Sequence, residues 1–85
     1  MSDDTQDRTV EVIELIVRSL ATEPDEVRLE VDDDDDRELT VRVFADQSDM
    51  GRIIGKRGRV IQAVRQVARA AASLDGKRAT VDVVD

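Results

Sequence analysis

The chain has 85 residues, which suits one small domain and leaves little room for a large hydrophobic core. It contains no cysteine and no histidine, which excludes disulfides, thiolate chemistry and the commonest general base and metal ligand. The net charge is −7, and Phe44 is the one aromatic residue, which argues against a nucleic-acid surface built on aromatic stacking. The acidic N-terminus has no apolar run like that of a signal peptide, so we expect a soluble, cytoplasmic protein.

A folded domain is predicted for residues 7–85, after a polar N-terminal segment, residues 1–6, that we expect to be flexible. The domain begins with a helix over residues 7–21, because apolar residues recur three and four positions apart, at Val10, Ile13, Val17 and Leu20. This spacing is typical of a surface helix that packs one face on a core. Pro24 ends the helical pattern, since the residue before a proline avoids helical backbone angles.

Two strands are predicted to follow this helix. Residues 26–31 and 38–44 alternate apolar with polar side chains, which indicates strands with one buried face. The five aspartates of residues 32–36 lie between them, without the interleaved ligands and the central glycine of a calcium-binding loop. We therefore expect residues 32–36 to form a solvated hairpin loop, which makes the two strands antiparallel.

The second half of the chain is predicted to form two helices and a third strand. A short helix over residues 49–54 begins after a capping side chain, either Asp46 or Ser48. A longer helix over residues 59–73 has one apolar face formed by Val60, Val64, Val67, Ala68 and Ala71, with Ile61 and Leu74 adjoining. A strand over residues 78–83 follows. The predicted fold class is therefore α+β, in the order α-β-β-α-α-β, with three helices packed on one face of a three-stranded sheet.

Two glycines enclose two cations between the short and the long helix, in the order Gly55, Lys56, Arg57 and Gly58. Glycine tolerates backbone angles that other residues resist, and it allows another chain to approach closely. The pattern therefore suggests a turn pressed against an anionic group such as a phosphate backbone. A simpler alternative is that the glycines only end one helix and begin the next. A nucleotide-binding P-loop is excluded, because only three residues separate Gly51 from Gly55 and an arginine follows the lysine.

The charge is divided unevenly along the chain. Residues 1–49 contain five Lys/Arg and seventeen Asp/Glu, a net charge of −12, whereas residues 50–85 contain eight Lys/Arg and three Asp/Glu, a net charge of +5. A local basic surface matters more for binding a polyanion than the total charge does. The alternative is that these cations simply form a solvated face.

The run from Ile54 to Ile61 resembles the I-G-x-x-G-x-x-I core of KH domains, which are RNA-binding modules. The wider run from Asp49 to Arg59 resembles the KhpA family of small bacterial proteins with a single KH domain. The resemblance implies a type II KH domain, in which the first helix and the first strand precede the minimal core. It also implies a G-x-x-G loop that clamps the backbone of a short single strand of RNA.

The resemblance further implies which residues bind RNA: Arg52, Ile53, Ile54, Gly55, Lys56, Arg57, Gly58, Arg59 and Ile61. Lys56 and Arg57 would neutralise phosphates, and the three isoleucines would help to form the apolar floor of a groove for the bases. Ordinary core packing is the alternative for the isoleucines, and a solvated helix cation is the alternative for Arg52 and Arg59.

Partners and cellular roles are likewise implied by the family alone. They are single-stranded RNA, a second copy of the chain as a homodimer, and a larger KH protein of the KhpB type. The family is associated with RNA chaperoning, post-transcriptional control and cell-envelope homeostasis, including cell shape and cell wall biogenesis. For this chain these roles are implications of the resemblance, and nothing in its composition or spacing indicates them.

Other classes of function are less well supported by the sequence. An enzyme is disfavoured because histidine, cysteine and a convincing carboxylate pair are missing, and we expect no cofactor and no metal site. A protein-interaction module or a ribosome-associated KH module, with weak or no RNA affinity of its own, remains an alternative. The basic pair Lys56 and Arg57 favours RNA binding over that alternative.

Overall fold

The computed structural model describes residues 4–35 and 37–84, and its elements follow the predicted order. The helices and strands are α1 (Asp4–Leu20), β1 (Arg28–Asp35), β2 (Glu38–Phe44), α2 (Met50–Ile54), α3 (Arg59–Ser73) and β3 (Arg78–Val83). Short 3₁₀ turns precede β1, α2 and α3, at Pro24–Glu26, Gln47–Asp49 and Lys56–Gly58. The predicted α+β class is confirmed, and the bounds predicted for β2, α3 and β3 agree with the structure.

The three strands form a mixed sheet in the order β1-β2-β3. β1 is antiparallel to β2, as the short connection predicted, and β2 is parallel to β3. The register places Val41 beside Val31 on one side and Val81 on the other. Leu39, Val41 and Val43 of β2 are buried and the residues between them are half-buried, so one face of the sheet packs on the helices.

The core lies between that face and the three helices, and every helix contributes to it. Its buried helical side chains are Ile13 and Val17 of α1, Ile53 of α2, and Ile61, Val64, Ala68 and Ala72 of α3. The apolar face predicted for α3 was partly wrong, because Val67 is 42 % exposed and Leu74 is 83 % exposed. More than half of the residues of α3 are apolar, so they form two neighbouring apolar stripes along the helix. Packing against α1 and β3 decides which one is buried.

The prediction for the acidic segment was also wrong. β1 begins at Arg28, two residues later than predicted, and continues to Asp35, so residues 32–35 belong to the strand and not to a loop. Their backbone extends the antiparallel ladder with β2, with a bulge between Asp33 and Asp35. Backbone pairing therefore overrides the low strand propensity of aspartate. Asp36, also predicted to be in the loop, lies outside the described residues.

The first helix is longer than predicted. α1 begins at Asp4, three residues before the predicted start, so the segment that we expected to be flexible overlaps its first turn. Residues 1–3 lie outside the described part of the chain. Within that described part, no helix is long and apolar enough to cross a membrane. Nor do three or more Asp, Glu, Cys or His side chains converge there to hold a metal ion.

Candidate nucleic-acid interface

Gly55 ends α2 with a backbone conformation that is open to glycine alone. Its φ is 79° and its ψ is 168°, a region that side chains exclude. Its N–H donates to the carbonyl oxygen of Gly51 at 2.8 Å, which closes the last turn of α2. A Cβ atom added to Gly55 would collide with the side chain of Val60 and would lie 2.7 Å from the backbone nitrogen of Val60. Glycine is therefore required here both for its angles and for space.

Two further residues of the loop, Arg57 and Gly58, have a left-handed backbone conformation. Arg57 has φ 58° and ψ 26°, and Gly58 has φ 75° and ψ 15°. The N–H of Gly58 donates to the carbonyl oxygen of Gly55 at 3.0 Å, so the loop is closed within four residues, and α3 begins at Arg59. A left-handed conformation costs a non-glycine residue about 1–2 kcal/mol. The sequence indicated that the glycines shape this turn, and the structure adds that Arg57 is strained by it.

The cations of this loop are exposed and unpaired. Lys56, Arg57 and Arg59 are exposed, and none of them has an ion-pair partner among residues 4–35 and 37–84. Elsewhere in the chain, several arginines have a carboxylate within 4.0 Å, namely Arg8, Arg18, Arg28, Arg42 and Arg78. Since no carboxylate in the described part of the chain pairs with these cations, their positive charge is available to an anionic partner.

The other predicted site residues are divided between surface and core. Arg52 is exposed on α2. Ile53 is 0 % exposed and Ile61 is 5 % exposed, and both belong to the core, while Ile54 is half-buried against it. Ile53 has no free surface in this structure, so its contribution here is to hold α2 against the sheet. A direct part for the isoleucines in binding bases stays a prediction.

A groove of about 700 Å³ runs beside α3, between that helix and β3. It begins at Gln62, one helical turn after Gly58, and continues to Ser73 and Lys77. Among the residues that the structure describes, β3 pairs with β2 alone, so its other edge lines the groove. Gln62, Arg65 and Arg69 line the groove from the helix and were not among the predicted site residues. Their spacing of three and four residues was the signal that could have identified one continuous polar face.

Asp49 was not recognised as a structural residue in the sequence. It is fully buried, directly before α2, and its carboxylate accepts three hydrogen bonds from the segment after α1. They come from the N–H and the hydroxyl of Thr22, at 3.0 and 2.8 Å, and from the N–H of Glu23, at 3.0 Å. Asp46, one of the two caps predicted for the short helix, instead caps the 3₁₀ turn Gln47–Asp49, where its carboxylate accepts a hydrogen bond from the N–H of Ser48 at 3.0 Å. In the described part of the chain, no side chain caps the beginning of α2.

These contacts keep the Asp49 carboxylate charged. The N–H of Thr22 is the largest influence that lowers the pKa of Asp49 below its ordinary value of 3.8, and burial acts in the opposite direction. The N–H of Glu23, the hydroxyl of Thr22 and the charge of Arg52 lower this pKa further. Asp49 therefore ties the end of α1 to the beginning of α2, which leads directly into the glycine loop.

The chain is similar to known proteins over most of its length. The family model described as "KhpA/KhpB, KH domain" matches residues 10–83. Among curated proteins, the chain is 37% identical over 76 residues to the "RNA-binding protein KhpA" of Borreliella burgdorferi, covering 89% of this chain and 92% of that protein. Proteins of the same name from Halalkalibacterium halodurans and Clostridium acetobutylicum are 36% and 39% identical, and each match covers 87% of this chain and 96% or 97% of the relative.

No solved structure matches the chain with statistical significance. The family match includes α2, the glycine loop and α3, which form the centre of the candidate interface. It also extends over all three strands and most of α1. The chain therefore belongs to the KhpA/KhpB family of KH-domain proteins.

Proposed function

We propose that this protein binds single-stranded RNA without catalysing a reaction, and that it clamps the RNA backbone at the loop of Gly55, Lys56, Arg57 and Gly58. The observation that carries the proposal is the loop itself, in which two exposed cations, without an ion-pair partner among the described residues, lie between glycines with φ of 79° and 75°. Phosphates are the natural partners of such a loop, because the backbone can approach closely and the charges are not neutralised internally.

The beginning of α3 adds to the attraction for phosphate. The helix has 15 residues, and its N-terminus lies directly after Gly58. The partial positive charge of a helix N-terminus favours anions, and unbonded N–H groups there can donate to phosphate oxygens. Arg59, the first residue of α3, adds an exposed cation at the same place.

The groove between α3 and β3 offers a path for the bases. It begins one turn from the loop, so a strand whose phosphates contact Lys56 and Arg57 would extend its bases beside Gln62 and Arg65. Single-stranded RNA suits this arrangement, because its bases are free to leave the stack and enter a groove. In this proposal Ile54 and the buried Ile53 and Ile61 support the groove from below.

The cellular part of the proposal rests on the relatives. Curated relatives carry the name "RNA-binding protein KhpA", and the matching family model includes KhpB proteins. We propose that this chain acts in the cytoplasm as an RNA chaperone or a post-transcriptional regulator, with an indirect effect on cell shape and cell wall biogenesis. We further propose that it works as a homodimer or paired with a KhpB-type protein, because two linked sites raise the apparent affinity for one RNA strand.

The test of RNA binding is to reverse the charge of the loop. In the double variant Lys56→Asp, Arg57→Asp both glycines remain, and aspartate tolerates the left-handed angles of position 57 better than most residues do. We expect the melting temperature to stay near that of the parent and RNA binding to be lost. Fluorescence anisotropy with a short single-stranded RNA, at two salt concentrations, measures this loss. For two or three phosphate contacts, the parent should show a slope of log affinity against log salt of about −1.4 to −2.1.

A matched control separates the loop from the net charge. The double variant Arg8→Asp, Arg18→Asp makes the same change of net charge on α1, outside the loop and the groove. We expect this control to bind RNA within about threefold of the parent, because salt and water screen exposed charges that do not contact the RNA. If the loop variant folds and binds as tightly as the control, the loop only connects two helices, and a protein-interaction module becomes the better proposal.

A further inference from the structure

We infer that Arg65 selects the base that enters the groove, and that it favours guanine or cytosine over adenine and uracil. This inference rests on the proposed binding of single-stranded RNA and adds a base preference to it. It begins with one contact: the Nε–H of Arg65 donates to the backbone carbonyl of Val81 at 3.1 Å, across the groove from α3 to β3. The side chain is half-buried and is held at both ends, by its own helix and by the edge strand.

The anchor leaves the rest of the guanidinium free to bind. The terminal nitrogens of Arg65 have no hydrogen bond or ion pair with any residue that the structure describes. A guanidinium is planar and rigid, so a bond at Nε also fixes the direction of the remaining N–H groups. Arg65 therefore presents a pair of donors in a fixed orientation, and its side chain loses little conformational entropy when it binds a ligand.

The position of Arg65 favours a base over a phosphate as its partner. Lys56 and Arg57 are exposed at the loop, where the RNA backbone is expected, whereas Arg65 is two helical turns further along α3 and partly buried against β3. No aromatic side chain can stack a base in this groove, because Phe44 does not line it and instead stacks with Arg28 at 4.4 Å. Hydrogen bonds to base edges are thus the available means of holding a base.

A fork of two donors matches only some base edges. Guanine presents two adjacent acceptors at O6 and N7, and arginine binds them with two hydrogen bonds. Cytosine presents two adjacent acceptors at N3 and O2. Adenine has its amino group, a donor, beside each accessible acceptor, and uracil has its N3–H donor between its two carbonyl oxygens. In both bases a donor would therefore face an N–H group of the guanidinium. The chemistry of the recognised group is therefore a pair of neighbouring acceptors, which guanine and cytosine share.

The same contact argues against another occupant of the groove. An added peptide strand would use the free backbone groups along the edge of β3. The carbonyl of Val81 is one of those groups, and Arg65 already occupies it. Pairing of a strand from another protein, or from a second copy, would have to break this bond.

The experiment compares four short labelled RNAs that are identical except for two central bases, which are guanine, cytosine, adenine or uracil. We expect the parent to bind the guanine or the cytosine RNA about tenfold more tightly than the adenine and uracil RNAs. Arg65→Lys keeps the positive charge but loses the fork. In that variant the difference in affinity among the four RNAs should fall to about twofold. Its affinity for the uracil RNA should be about the same as that of the parent. Arg18→Lys makes the same exchange on α1, outside the loop and the groove, and as the control it should retain the preference.

Different failures have different meanings. If the parent binds all four RNAs equally, or if Arg65→Lys keeps the preference, the selection by Arg65 is overturned while RNA binding stands. If the parent binds none of them, the proposed function fails as well. If Arg65→Lys instead gains self-association by sedimentation with an unchanged base ranking, Arg65 serves only to cover the edge of β3.

A second measurement does not depend on how the variant folds. In the parent protein, the Nε–H resonance of Arg65 should shift when the guanine or the cytosine RNA is added and should stay in place with the uracil RNA. A shift of equal size with every RNA would overturn the inference.

Discussion

Gly55 shows at the scale of one residue how the loop depends on a missing side chain. Gly51, Gly55 and Gly58 all lie near the interface, but they differ in what a Cβ atom would meet. At Gly51 it would meet nothing within 4 Å, and at Gly58 only the side chain of Ile61 at 3.9 Å. At Gly55 it would meet the backbone of Val60, which cannot move away without shifting the first turn of α3.

We therefore expect Gly55→Ala to destabilise the protein by about 2–4 kcal/mol, from backbone strain and overpacking together. Gly58→Ala should cost about 1–2 kcal/mol, because only its left-handed angle is disfavoured. Gly51→Ala, in α2, should be neutral or stabilising by up to about 1 kcal/mol, because alanine favours helix. Urea denaturation of the three variants gives this ranking. Equal losses for Gly51→Ala and Gly55→Ala would contradict the geometry described for the loop.

Asp49 acts at the same scale but through three hydrogen bonds. Asp49→Asn keeps the size of the side chain but removes its charge and one of its acceptors, so we expect a lower melting temperature at neutral pH. Because the folded state lowers the pKa of Asp49, its stabilising effect is present above pH 3.8 and is lost as the pH falls below that value. The difference in melting temperature between parent and variant should therefore be largest near pH 7 and should narrow in acid.

Asp46→Asn is the matched control for this measurement. Asp46 caps an exposed turn, and asparagine caps about as well as aspartate does. The control should therefore melt close to the parent at neutral pH. A difference between parent and Asp49→Asn that stays constant from neutral pH down to about pH 2 would show that the charge of Asp49 does not contribute to folding.

At the scale of elements, β1 is extended by residues that its composition assigned to a loop. Three ladder positions, Asp32 with Thr40, Asp33 with Leu39 and Asp35 with Glu38, depend on this extension. Asp32 also forms an exposed ion pair with Arg42 at 3.1 Å, which is a weak contribution at a surface. Pairing of its backbone with β2 therefore holds the acidic segment in the sheet.

Two variants distinguish backbone pairing from charge. Replacing residues 32–36 by an Asn-Gly turn removes these ladder positions and leaves Leu39 without its neighbour, so we expect a loss of about 1–3 kcal/mol. Replacing Asp32, Asp33 and Asp35 by threonine keeps the ladder, and threonine suits a strand better than aspartate does, so stability should be equal or up to about 1 kcal/mol higher. Denaturant unfolding compares the two. A shortened variant as stable as the parent would mean that the end of β1 contributes nothing to folding.

At the scale of the whole molecule, a domain of 85 residues leaves apolar side chains on its surface. Val67 on α3 is 42 % exposed, Leu74 directly after the end of α3 is 83 % exposed, and Leu15 on α1 is 67 % exposed. A small domain buries a modest share of its surface, and association with another chain gains stability by covering more of it. This supports the proposed homodimer.

We expect reversible self-association in sedimentation over a concentration series. If the second copy covers α3, Leu74→Asp should shift the midpoint of association to about tenfold higher concentration or more, because it places a charge in an apolar contact. Leu15→Asp, equally apolar and exposed but on α1, should leave the midpoint unchanged. A parent that stays monomeric at high micromolar concentration would remove the homodimer and leave pairing with a KhpB-type protein to be tested separately.

The sequence by itself determined the order of the elements, the bounds of β2, α3 and β3, and the loop between α2 and α3. These features depend on local periodicity and on glycines, which act over a few neighbouring residues. They were enough to place the KH-type loop and its two cations. Local patterns were also enough to assign the chain to one small α+β domain.

The tertiary structure alone decided the features that depend on distant partners. Asp49 is buried because Thr22, 27 residues away, supplies its donors, and Arg65 is oriented by Val81, 16 residues away. β2 draws the acidic end of β1 into the sheet, and α1 and β3 choose which stripe of α3 is buried. The spacing of side chains along the sequence shows which of them lie on the same face of an element. Only packing brings distant residues to that face, and these residues determine whether a side chain is charged, buried or held in one direction.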